Sequence, residues 1–190
     1  MRYLTFAFVV LCIAYPKFLS ANEFQSELET VANSRILSLA AAPEVISALI
    51  EHNQKYAGLD QDGIDKLDKA WRSEVASIDQ PTIDAVMDNP LSKFLIAQQD
   101  ASGGLFTEIF VMDARGLNVG QSELTTDLWQ GDEDKWTETF GKGAGSLHIS
   151  DIVQDDSTQA IQSQISVPVI DPGTGKPIGA ITVGVNIERL

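Results

Sequence analysis

The second half of the chain alternates apolar and polar positions with a period of two. In residues 159–171, Ile161, Ile165, Val167 and Val169 share one face, and Gln162, Gln164 and Ser166 share the other. In residues 176–188, Ile181, Val183, Val185 and Ile187 stand opposite Ala180, Thr182, Gly184 and Asn186. Successive residues of a strand point to opposite faces, so both segments are predicted strands, joined by the turn at 171–175. One face of this hairpin is apolar and needs a cover. The other is small and polar, which suits either open solvent or a cavity with hydrogen-bonding walls. Three further strands are predicted, over 105–113, 117–122 and 147–153. The first of these is apolar on both faces and therefore central in its sheet.

The first half follows a helical period instead. Leu28, Val31, Ala32, Arg35, Leu39 and Ala42 recur at spacings of three and four, and Val45, Ile46, Leu49 and Ile50 resume the stripe after Pro43. The missing amide of Pro43 predicts a kink or restart there. The stretch GLDQDGIDKLDKAW (58–71) carries closely spaced aspartates, but its glycine follows Asp60 and Asp62 too soon for a calcium loop. Those aspartates predict a helix start, with Ile64, Leu67 and Trp71 on one face. A further helix is expected over 82–99, interrupted at Asn89 and Pro90. Helices first and about five antiparallel strands afterwards, with a helical insertion after the second strand, make the fold class α+β. The long N-terminal helix packs behind a single sheet.

The N-terminus changes the compartment. Arg2 precedes an apolar run of about 13 residues, Tyr3 to Tyr15, and small residues follow at Ser20 and Ala21. That run is shorter than the roughly 20 residues that span a bilayer. Residues 1–21 therefore read as a secretory signal peptide and 22–190 as one domain, periplasmic or secreted, and not membrane-spanning once the signal is cleaved. An uncleaved signal would serve as an anchor. Cys12, the chain's single cysteine, leaves with the signal, which excludes disulfides, thiolate nucleophiles and cysteine-bound metals from the mature chain. Losing Arg2 and Lys17 leaves 11 basic against 27 acidic groups, a net charge near −16. Such a surface repels nucleic acid and favours solubility.

Candidate chemistry gathers in DLWQGDEDKW (127–136). Asp127, Asp132, Glu133 and Asp134 lie within eight residues, and no second cluster is brought opposite them to form an acid–base pair. His52 and His148 are the only imidazoles, and their spacing does not pair them for a metal. The chain contains no serine-hydrolase order, P-loop or zincin motif, so neither an enzyme nor a cofactor is expected. Trp129 and Trp136 are seven residues apart and would share one face of a predicted helix. Either residue serves as core or as pocket wall on that pattern.

In order, the kinked leading helix with AAPEVISALI, the strand–turn–strand IFVMDARGLNVGQS turning at Asp113 and Gly116, the DLWQGDEDKW segment, LHISDIV and the hairpin ending GKPIGAITVGV resemble a Cache domain. This is the PAS-like, PDC-type extracellular sensor module, and the likeness covers roughly 23–190. The resemblance implies a small-molecule pocket between the sheet and the segment after its second strand. It also implies an amino acid, amine or carboxylate as ligand and signal transduction through a membrane receptor or kinase. By that resemblance Trp129 and Trp136 cap the pocket and Gln162, Gln164 and Ser166 form its floor. From their own chemistry, the Ser122 hydroxyl or the Asp127 carboxylate is a candidate to orient a ligand amine. Cache domains usually sit between two membrane helices. The chain ends at Leu190 just after the last strand, so the expectation is a sensor-type domain without its own output module. The alternative from another class is a protein-interaction domain whose pocket is vestigial.

Overall fold

The computed structural model describes residues 23–154 and 160–190. The expected signal peptide lies outside the described residues. Among the described residues, seven α-helical segments precede or interrupt six strands, all paired antiparallel in the order β2-β1-β6-β5-β3, with β4 also on β5. The strands are β1 (Phe106–Asp113), β2 (Asn118–Gln121), β3 (His148–Ile149), β4 (Val153–Gln154), β5 (Ile161–Ile170) and β6 (Pro177–Asn186). The α+β expectation holds, with one strand more than anticipated. The predicted strand over 147–153 is two short pieces, because the Ser150 hydroxyl accepts the Gln164 amide at 2.8 Å and bends the chain between them.

The alternation decides which face meets the helices. Ile109 and Val111 of β1, Ile165, Val167 and Val169 of β5, and Ile181, Val183 and Val185 of β6 form one apolar surface. It is covered by α1 (Gln25–Val31), α2 (Leu37–Ala40), α3 (Pro43–Lys55) and α6 (Pro90–Ala101), which contribute Leu28, Leu39, Val45, Leu49, Leu91 and Leu95. The break before α3 falls where expected. Ala42 is extended (φ −64°, ψ 137°) and Pro43 opens the next helix, where its missing donor costs nothing.

One position of the leading stripe is displaced. Ala32–Ile36 forms a π-helical turn between α1 and α2, and its wider winding carries the buried stripe from Leu28 through Ala32 to Ile36. Arg35, expected on that stripe, is exposed instead, with its guanidinium 5.8 Å from the centre of the Phe106 ring.

A second, smaller core lies beyond the β1–β2 end. The helices α4 (Gln61–Glu74) and α5 (Pro81–Met87) bury Ile64, Trp71 and Ile83 against Leu117 and Leu128. Asp60 caps α4 by accepting the Gly63 amide at 3.0 Å, as the aspartate spacing predicts. The start of α5 is capped from outside. The Glu74 carboxylate accepts the Thr82 and Ile83 amides at 2.7 and 3.0 Å and the Thr82 hydroxyl at 2.7 Å. Burial pushes this carboxyl up, but the Thr82 and Ile83 bonds outweigh it and hold it below its ordinary 4.5. The expected helix over 82–99 is thus α5 and α6, divided at Asn89, which caps α6 through the Ser92 amide.

Candidate functional site

The second face of the sheet carries the polar members of the alternation. Ser166 and Thr182 face each other with their hydroxyls 2.8 Å apart. Further along, Glu108 of β1, only 6% exposed, accepts the amides of Gln162 and Gln164 through one oxygen, at 2.8 and 2.9 Å. The Thr107 hydroxyl donates to Gln162 Oε1, which leaves that amide's nitrogen directed at Glu108. A carboxylate fixed by two amides is a preorganised hydrogen-bond acceptor. Gly184 makes room for it: a Cβ there would strike Thr107 Oγ1 and come within 2.5 Å of Gln162 Oε1.

Above this floor, residues 125–135 and β4 enclose a cavity of about 310 Å³. Glu108, Phe110 and Gln164 line it from the sheet, and Thr125, Asp127, Gln130, Glu133 and Lys135 line it from the segment above. Lys135 Nζ lies 2.9 Å from Glu133 Oε2, donates to Gln130 Oε1 at 3.2 Å and sits 5.4 Å from the Phe110 ring centre. Asp127 accepts Gln130 at 2.6 Å through one oxygen and Arg72 at 2.9 Å through the other. Three carboxylates and one ammonium therefore border the cavity among the described residues. Its size is at the lower end of small-molecule sites.

The two tryptophans do not share a helix. Trp129 is extended and bridges to Leu117, and only Asp134–Thr137 forms a helical turn, α7. The reason is that the segment's backbone is claimed elsewhere. Asp68 Oδ1 accepts the amides of Leu128 and Trp129 at 2.9 and 3.0 Å, and the Gly116 carbonyl accepts that of Gln130 at 2.7 Å. Gly116 (φ +83°) allows this docking, since a Cβ there would collide with the Gly131 backbone. The Trp129 indole donates to the Arg115 carbonyl at 2.7 Å and packs in the second core. The Trp136 indole donates to the Asp113 carbonyl at 3.0 Å, and its ring covers Phe110, Met112 and Ala180 beside Phe140.

Of the residues singled out from sequence, Asp127 and Gln164 line the cavity and Gln162 holds its floor. Ser122 is buried in service of the sheet, its hydroxyl accepting the Ile109 amide at 2.7 Å. Ser166, Trp129 and Trp136 are outside the lining. Glu108, Gln130 and Lys135 escaped notice. A lone glutamate inside the apolar run LFTEIFVMD was the available signal for Glu108, because a buried carboxylate needs partners. Among the described residues no three histidine, cysteine or carboxylate groups converge as a metal site, and no helix is long and apolar enough to cross a membrane.

A scan against protein-family models finds no match, nor does a search of curated proteins. Among solved structures the chain is similar to the sensor domain of Escherichia coli DcuS, at 16% identity over 85% of this chain and 92% of that one, with TM-score 0.47. It is similar to the sensory domain of the Campylobacter jejuni chemoreceptor Tlp3 with isoleucine bound, at 15% identity, 87% and 62% coverage, and TM-score 0.41. A third is the sensor domain of the Vibrio cholerae histidine kinase DctB, at 14% identity and TM-score 0.37, covering 87% of this chain. The chain spans 55% of that DctB domain. All three are sensor or sensory domains.

Proposed function

We propose that the protein is a periplasmic or secreted sensor-type domain that binds a small molecule bearing an ammonium group, an amine or an amino acid. The reading rests on one observation, the Glu108 carboxylate fixed on the cavity floor by Gln162 and Gln164. Asp127 and Glu133 add to the negative potential on the opposite wall, and Lys135 supplies one positive partner for a ligand carboxylate. With more carboxylates than ammonium groups around it, the cavity favours a cation or zwitterion over a plain anion. Signal transduction would pass through contact with a membrane receptor or kinase.

Calorimetric titration with butylamine, norvaline and butyrate tests the charge preference on short linear alkyl chains. Butylamine or norvaline should bind saturably and butyrate should not. Glu108→Gln removes the charge while keeping the shape. It should weaken binding by about tenfold or more, the worth of a charge-assisted hydrogen bond of roughly 1.5–3 kcal/mol. Binding of butyrate alone would reverse the assigned polarity. If nothing binds from a wider panel and Glu108→Gln raises the melting temperature, the interaction-domain reading with a vestigial pocket replaces this one.

A further inference from the structure

Another cavity lies on the other side of the sheet, about 470 Å³, between α3, α5 and the β1–β2 end. Its inner wall is apolar, from Leu67, Val86, Leu91, Leu117 and Leu128. One polar group in that wall is held in a fixed orientation. His52 Nδ1 lies 3.0 Å from Asp113 Oδ2, and Asp113 is wholly buried. The other Asp113 oxygen accepts the Arg115 and Leu117 amides at 2.8 and 2.9 Å. A carboxylate placed to accept three bonds sets the imidazole with Nδ1 as donor, which leaves Nε2 as an acceptor on the opposite edge of the ring. His52 lines the cavity and packs against Tyr56 at a tilt of 43°, ring centres 4.5 Å apart, so the ring is held on two sides.

An apolar cavity with one oriented acceptor in its wall is complementary to one kind of guest. We propose that this cavity is a second small-molecule site, separate from the ammonium site, that takes an uncharged and mostly apolar ligand carrying an N–H or O–H donor. The donor meets His52 Nε2 and the apolar body fills the space against Leu91 and Leu128. The volume is within the range of small-molecule pockets. Glu44, Glu51 and Lys55 stand exposed at the solvent rim and leave the interior uncharged. The site is independent of Glu108, so its failure and that of the ammonium site are read separately.

Indole and benzothiophene share a bicyclic shape and differ in the N–H, which makes them a matched pair of probes. Titration of the isotope-labelled protein by NMR should give saturable shifts at α3, α5 and the Leu91 and Leu128 methyls with indole. Benzothiophene should bind about two- to tenfold more weakly, the worth of one neutral hydrogen bond. Ala85→Trp places a bulky ring at the exposed edge of the cavity and should abolish those shifts in a protein that keeps the wild-type spectrum elsewhere. His52→Phe keeps an aromatic ring against Tyr56 and should erase the preference for indole, a ratio that survives a loss of stability. Equal affinity for the two probes in the wild type overturns the donor requirement. Persistence of the shifts in Ala85→Trp, or no saturable binding, overturns the site. Shifts at the same methyls on simple dilution would also overturn it, because they would make the cavity a contact between two copies of the chain.

Discussion

Replacing Trp129 with alanine separates a lid from a core. Trp129 packs among Leu117, Leu128 and the α4–α5 pair, and its indole nitrogen is bonded to Arg115. Truncating a buried tryptophan or phenylalanine costs about 3–5 kcal/mol. Trp129 is half-buried, so about 3 kcal/mol is expected, of which roughly 1 kcal/mol belongs to the indole hydrogen bond. A domain of this size loses about 2–4 °C of melting temperature per kcal/mol, so Trp129→Ala should melt about 6–12 °C lower. Trp129→Phe keeps the apolar area and loses the N–H, which predicts a fall of about 2–4 °C. Thermal melts followed by circular dichroism measure both. Neither variant should change affinity at the Glu108 cavity more than about twofold, because the ring is outside its lining. A Trp129→Ala protein that melts within 2 °C of wild type, by the same scale, and binds over tenfold more weakly would refute this placement.

Two further outcomes follow from the geometry. Glu74→Gln should cost about 1 kcal/mol at neutral pH, since the cap of α5 loses its charge. Because the folded Glu74 carboxyl is held below its ordinary 4.5, that stability is fully present above 4.5 and is lost as pH falls through the lower folded value. Melting curves of both proteins should converge under acid, and a gap that widens there would contradict the cap. Gly184→Ala should cost about 1–3 kcal/mol by crowding Thr107 and Gln162, and it should weaken amine binding by shifting Glu108. Unchanged stability in a denaturant titration would mean that the floor has slack.

Much of the fold was legible because it depends on local periodicity. The β5–β6 alternation named the covered face residue by residue, and Pro43 and Asn89–Pro90 marked breaks because proline removes a donor wherever it stands. The site was less legible. DLWQGDEDKW has the spacing of a helix, yet Asp68, about 60 positions earlier, accepts two of its amides and keeps it extended. The Glu108 clamp joins residues 54 and 56 positions apart, and the His52–Asp113 pair joins residues 61 apart. No short-range spacing reports such pairs.

The sequence by itself determined most of the helix and strand segments, the apolar face of the sheet, the leader-like start and the acidic balance, because each follows from side chains within a few residues of one another. Tertiary structure alone decided where the polar face goes. Buried carboxylates and indole N–H groups must find partners once water is removed, and those partners come from whatever the fold brings near. That requirement moved Trp129 and Trp136 to Arg115 and Asp113, and left Glu108, held by two glutamines, at the bottom of the cavity.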